Sequence, residues 1–438
     1  MFTRNIEKDL KEWKISTIRK PLILRGARQV GKTSVVRKFA SENFDNLVEI
    51  NLEQESQKEF LEGADNVDEF IRRSEILTNE IVICGKTLFF IDEIQESLEA
   101  LKLLRFFAEE KPDLHLIVAG SLLEAKMSGI WSVPVGRIEY MYLYPMTFSE
   151  FLKALGEERY IEGNNFEISH DTLLNNLKNY LLVGGMPEAV SSFVKDNSFI
   201  KVQNVHGRLI HSYEDDLPKY STVLKKKYLE LVMDFGPKIA GGIYKYDNFG
   251  GSSYKSREVS DAIYMLSKVL LLKEIPSINS INLPIIPKYK RAKKMIWLDV
   301  GIVNFANRIT TEILKGEYKG RIMEQFVGQT LLAKGLRRRE DVVYWSRNKD
   351  EGSAEVDFCF QHEDKIVGIE VKSGNTKNLK SLFSMINIGG DIVLPVRVSW
   401  DKLGIEKYQH SGKNYKILNI PFYLLDRIYE FLNTLKTA

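Results

Sequence analysis

The chain has 438 residues, 44% hydrophobic and 28% charged, which is enough for several cores and too much for one ordinary domain. Two cysteines and six unclustered histidines exclude a disulfide framework and a Cys/His zinc site, and they suit a reducing compartment. The net charge of +3 hides an asymmetry: residues 1–200 carry 24 Lys and Arg against 32 Asp and Glu, which leaves 38 against 27 for residues 201–438. A basic second half fits a polyanionic partner such as nucleic acid, although scattered surface lysines give the same balance. The opening MFTRNIEKDLKEW is charged where a signal peptide is apolar, and no apolar run is long enough to span a bilayer. The expectation is a cytoplasmic protein with no membrane partner.

After this basic amphipathic leader, a short apolar strand, Leu22 to Leu24, runs into Gly26, Ala27, Arg28, Gln29, Val30, Gly31, Lys32, Thr33 and Ser34. Gly26, Gly31, Lys32 and Thr33 fit GxxxxGK[ST]. Glycines let backbone N–H groups converge on an anion, and a helix starting near Lys32 adds its positive N-terminal dipole. Lys32 then supplies a point charge to the β and γ phosphates, and the Thr33 hydroxyl is placed for Mg²⁺.

Strands and helices alternate from there. Strands are expected at Leu47–Leu52, Thr87–Ile91, Leu114–Ala119 and Ile138–Tyr144, with helices near Ser34–Ser41, Val67–Ile81 and Ser97–Glu109. Such alternation predicts an α/β domain with a parallel sheet wrapped by helices. The run LFFIDE places Asp92 and Glu93 at the carboxyl edge of that sheet, beside the phosphate loop. Asp92 would hold the Mg²⁺ water shell, and Glu93 would accept a proton from the attacking water. Ser121, after the next strand, would contact the γ-phosphate or the water. Arg137 would reach a neighbouring subunit's nucleotide in a homo-oligomer, or else pair with Glu139 or a helix end.

The segments GARQVGKTS, LFFIDEIQ, VAGSLL, Gly136-Arg137, LYPMTFSEFL and GGMPEAV resemble the AAA+ module of a large prokaryotic ATPase family, in which a P-loop domain precedes a conserved C-terminal region. The resemblance implies a catalytic glutamate and a small helical lid. It also implies that Gly184, Gly185 and Pro187 form a lid turn near adenine and ribose. No Asn-Lys-x-Asp guanine-reading stretch follows, so ATP with Mg²⁺ is expected.

Residues 151–215 read as that helical lid. From 216 to about 310 the chain turns basic, with Val259, Ala262, Ile263, Leu266, Val269 and Leu270 on one helical face and PKYKRAKK before the strand MIWLDV. This order would suit a winged-helix-like domain, either one whose Lys288, Lys290, Arg291, Lys293 and Lys294 neutralise DNA phosphates or one that serves as a packing spacer.

In residues 311–438, the stretch AEVDFCFQHEDKIVGIEVKS reads as an antiparallel hairpin. If His362 to Lys365 form the turn, Asp357 lies opposite Glu370 and Glu355 opposite Lys372. Like charges facing each other are unfavourable, and a divalent cation between Asp357 and Glu370 would turn that cost into binding, with Lys372 polarising a water. This resembles the PD-(D/E)xK restriction-endonuclease-like fold, with Val356 in place of the motif's proline. The resemblance adds Glu324, on the helix RIMEQFVGQTLLAKGL, as a further metal-linked carboxylate.

Three functions stay open at this point. The first is a P-loop ATPase (a hydrolase) that couples nucleotide state to a DNA-binding second half. The others are a nucleotide-switched regulatory protein without nuclease activity, and an ATP-gated metal-dependent nuclease.

Overall fold

A computed structural model describes residues 1–120, 136–163, 165–220, 223–309, 316–338, 341–347, 353–374 and 378–436. The chain divides into two compact units: Met1–Tyr144 with Lys268–Leu270, and the remainder. Among the described residues no helix is long and apolar enough to cross a membrane.

In the first unit the parallel strands β1 (Leu22–Arg25), β2 (Asn46–Asn51), β3 (Thr87–Asp92), β4 (His115–Gly120) and β5 (Glu139–Tyr142) stand in the order β2-β3-β4-β1-β5. The helices are α1 (Ile6–Ile15), α2 (Lys32–Asn43), α3 (Glu55–Leu61), α4 (Val67–Thr78) and α5 (Leu98–Glu110). β3 and β4 are buried at every position, as strands covered on both faces must be. Phe70, Phe89 and Phe107 form the aromatic centre of the core, with ring centroids 5.9 to 6.3 Å apart. Caps set the helix starts: Asn66 accepts from the Glu69 N–H, and Ser97 from the Ala100 N–H. α4 stops at Thr78, short of the expected Ile81, because Asn79 takes a left-handed conformation at φ 54° and ends it.

The second unit begins with α6 (Phe148–Leu155), whose Thr147 and Glu150 form a complete capping box. The helices α7 (His170–Val183), α8 (Pro187–Asp196), α9 (Phe199–Tyr220), α10 (Val223–Phe235) and α11 (Ser256–Lys268) follow. Val259, Ala262, Ile263 and Leu266 are the buried face of α11 as expected, but the helix ends at Lys268, so Val269 and Leu270 lie beyond it.

Two sheets complete this unit. The smaller has the order β6-β9-β7 (Ile243–Tyr244, Lys293–Trp297, Leu272–Ile275), all antiparallel. The larger runs β14-β15-β13-β12-β11-β10-β8, built from Gly404–His410, Lys413–Pro421, Val393–Ser399, Lys365–Lys372, Glu355–His362, Val343–Ser346 and Ser277–Ile278. β11 and β12 form the predicted hairpin, in register from Phe358–Ile369 to His362–Lys365. α13 (Gly316–Arg338), α14 (Lys380–Gly389) and α15 (Ile428–Lys436) pack against these sheets, whereas α12 (Val300–Ala306) packs against α7, α9 and α13.

Asp299 is the joint of this unit. Fully buried, it caps α12 through the Gly301 and Ile302 N–H groups at 2.9 and 3.1 Å and accepts from the Gly185 N–H at 2.6 Å. A Cβ at Gly185 would stand 2.1 Å from the Met146 carbonyl oxygen, so only glycine fits there. Asp299→Ala would strand three buried donors and should cost the second unit about 3 kcal/mol, read from denaturant midpoints.

His206 on α9 is buried against Phe305 and lies 3.0 Å from the Val183 carbonyl, and burial pulls its pKa down to about 4. The unfolded chain therefore binds this proton first, so stability present above about pH 6.5 is lost as pH falls toward 4. His206→Gln should flatten that loss, by at most about 1.4 kcal/mol per pH unit, in unfolding curves taken across the window.

Candidate functional site

β1 delivers the chain into the glycine loop at the carboxyl end of the parallel sheet. Gly26 is required by close approach, since a Cβ there would meet the Leu143 carbonyl oxygen at 2.6 Å and the Val30 side chain at 2.9 Å. Gln29 and Gly31 take positive φ values of 64° and 94°, which curl the loop before Lys32 and Thr33 open α2. The Lys32 ammonium, buried, donates to the carbonyls of Gly26 and Ala27 at 3.0 Å each. Burial lowers its pKa against the opposing pull of Glu93 and Asp92, while Arg28 lowers it further. Arg28 itself lies 3.6 Å from Glu53.

Asp92 ends β3 beside this loop, and the Thr33 hydroxyl donates to its Oδ2 at 2.5 Å. Burial is the main cause that raises the Asp92 pKa. Glu93 follows in a left-handed conformation at φ 49°, which turns the chain into a short helical turn over Ile94–Glu96. Hydroxyl and carboxylate oxygens side by side are the hard donors that Mg²⁺ takes. Among the described residues no group of three or more His, Cys, Asp or Glu converges on a metal position. A nucleotide-borne Mg²⁺ needs only one or two protein ligands, so Thr33 and Asp92 fit it.

Two supporting side chains carry no signal in the motif spacing. Arg4 is buried beneath the loop and donates to the Val30 carbonyl at 3.0 Å and to the Tyr144 carbonyl at 2.6 Å. Its own N–H is held by Glu7, which also receives Lys38 of α2 at 2.8 Å. Gln95, 4% exposed, donates its amide to the Glu93 carboxylate. Only the DEIQ run hinted at it, two positions beyond the carboxylate it holds.

Of the remaining expected residues, Ser34 lies in the first turn of α2, and Ser121 lies outside the described residues. Arg137 pairs with Glu109 of α5 at 2.5 Å, the helix-end alternative, and is 42% exposed. Gly185 and Pro187 belong to the second unit, in the α7–α8 joint, with Pro187 at the first position of α8. The Gly185 N–H is spent on Asp299, and its carbonyl accepts from the Met146 N–H at 2.6 Å.

The C-terminal carboxylates assemble differently from the expected metal pair. The Lys294 ammonium, 1% exposed, lies 2.7 Å from Glu324, 3.1 Å from Asp357 and 3.3 Å from Glu355. The second Asp357 oxygen accepts from the Val371 N–H at 2.8 Å, and Glu370 is paired with Lys372 at 2.7 Å. Burial, reinforced by Asp357, pushes Glu324 up to about 7 and Glu370 up to about 8. Burial alone would lower Lys294, but Asp357, Glu324 and Glu355 outweigh it and raise its pKa. Lys294 is thus no phosphate ligand. Lys293 is likewise held by Glu274 and Tyr246, which removes it from the expected basic wing.

Residues 18–152 match the family model described as an AAA domain. Residues 174–313 and 319–423 match two domains of unknown function, DUF8612 and DUF4143. No curated protein matches the chain. Solved structures similar to it include the Thermotoga maritima RuvB Holliday junction branch migration motor, at 15% identity and TM-score 0.29 over 66% of this chain and 93% of that one. The Aeropyrum pernix ORC1 protein in complex with DNA follows at 11%, 0.28, 70% and 93%, and the S. cerevisiae Hsp104–ADP complex at 13%, 0.30, 77% and 44%. With the sheet order, the glycine loop and the Asp92–Glu93 strand end already in place, the match over residues 18–152 supports a P-loop AAA-like, nucleotide-binding domain there.

Proposed function

We propose that the protein is a Mg²⁺-dependent ATPase whose basic second half receives the nucleotide signal and contacts DNA. The observation that carries the first part is the convergence of Lys32, Thr33, Asp92 and Glu93 at one end of a parallel sheet. Lys32, now satisfied by neutral carbonyls, exchanges them for phosphate oxygens at a gain, since charged acceptors make the stronger hydrogen bond. Mg²⁺, held by Thr33 and Asp92, would neutralise charge on the phosphates. Glu93 takes the proton of the attacking water, and the Gln95 amide keeps its carboxylate turned toward the site.

The DNA part rests on charge and exposure. Lys288, Tyr289 and Lys290 are exposed on the loop before β9, within the half of the chain that carries the positive balance. Lysines there give phosphate contact without base readout. A regulatory role, with a protein partner in place of DNA, is the second reading. It is favoured by the internal use of Lys293 and Lys294.

Lys32→Ala should weaken ATP binding at least about 100-fold, whereas Glu93→Gln should bind ATP normally and lose about 10²- to 10⁴-fold in kcat. Nucleotide titration and phosphate release read the two effects, and undiminished ATP affinity in Lys32→Ala would remove the basis of the proposal. DNA affinity should fall steeply with salt, and Lys288→Ala with Lys290→Ala should reduce the log–log slope by about two. Salt-independent or absent binding, with ATPase activity unmoved by DNA, selects the regulatory reading.

A further inference from the structure

The restriction-endonuclease-like resemblance asks for a divalent cation among the carboxylates of the β11–β12 hairpin and α13. What the fold brings there is a side chain from a different sheet. Lys294 projects from β9 of the three-stranded sheet, and its ammonium stands within hydrogen-bond reach of Glu324 on α13 and of Asp357 and Glu355 on β11. The aromatic rings of Phe358 and Tyr344 lie 5.2 and 5.8 Å from the same ammonium. We propose that this centre carries its cation within the chain, as a lysine-filled joint that fastens the three-stranded sheet to the hairpin and α13, and that it is not a divalent-metal site.

Three features support this. The Lys294 ammonium stands 2.7 to 3.3 Å from oxygens of Glu324, Asp357 and Glu355, so it occupies the position among these carboxylates that a cation would take. The other two expected members are engaged as well: Asp357 accepts the Val371 N–H on its second oxygen, and Glu370 is paired with Lys372. Finally, a metal ion entering among these oxygens would take acceptors from a buried ammonium and would stand beside its like charge. The four carboxylates exceed the two lysines by two charges. Protons retained on Glu324 and Glu370, whose pKa values burial raises, reduce that excess. This reading is independent of ATP hydrolysis in the first unit.

Calorimetric titration of Mn²⁺ into the nucleotide-free full chain tests it, with wild type and Asp357→Asn side by side. Identical isotherms are expected; a saturable Mn²⁺ site present in wild type and lost in Asp357→Asn overturns the proposal. Lys294→Met should lower the melting temperature by at least about 5 °C, and it should gain an Mn²⁺ site that restores part of the loss. A Lys294→Met chain that melts with wild type and gains no Mn²⁺ binding also overturns it. Should that variant fail to fold, the wild-type and Asp357→Asn titrations decide alone.

Discussion

A buried ammonium is tolerable only when something nearby accepts its hydrogen bonds, and the kind of acceptor decides what the ammonium can do next. In the first unit the acceptors of Lys32 are two backbone carbonyls, neutral dipoles that give up their partner to an anion of higher charge. Burial therefore depresses the pKa of Lys32, and the charge is kept in reserve. In the second unit the acceptors of Lys294 are three carboxylates, which raise its pKa and leave no positive charge to offer an anion. On the proposed function, one side-chain type would thus serve a ligand in one place and architecture in another.

The rest of the first unit follows from keeping Lys32 in that state. Arg4 fixes the loop by its Val30 carbonyl, and Glu7 ties both Arg4 and Lys38 to the same support, so α1, the loop and α2 are braced as one piece. β3 brings Asp92 against Thr33 because its apolar run is buried to the last residue, which leaves the first polar side chains at the sheet edge. The left-handed conformation of the next acidic residue, Glu93, then takes the chain out of the strand. Gln95 can reach it because the chain coils at once into a tight helical turn.

Much of this was legible in the sequence where chemistry and periodicity coincide. Runs such as LFFID and LIVAG are continuous apolar strands, and all five parallel strands lie within a residue or two of their expected bounds. The hairpin register was readable because a two-residue turn fixes which positions meet. What escaped was every contact made across a distance in sequence. Lys294 reads as one more lysine in PKYKRAKK, and nothing local distinguishes it from exposed Lys290. Only the pairing of β9 between β6 and β7 turns its side chain inward. Arg4 reads as part of a charged leader for the same reason. The end of α4 was missed more locally, at Asn79, where a residue compatible with helix takes the left-handed form.

The Lys294 contacts also bear on the order in which the second unit assembles. Its partners Glu324 and Asp357 are 30 and 63 residues further along the chain. Closing such loops carries an entropy cost that the contact offsets only once β9, α13 and the hairpin are each formed. In a chain whose two cysteines are both free, it takes the place that a covalent crosslink has in secreted proteins: a long-range staple that a newly made polypeptide completes only after the hairpin has emerged.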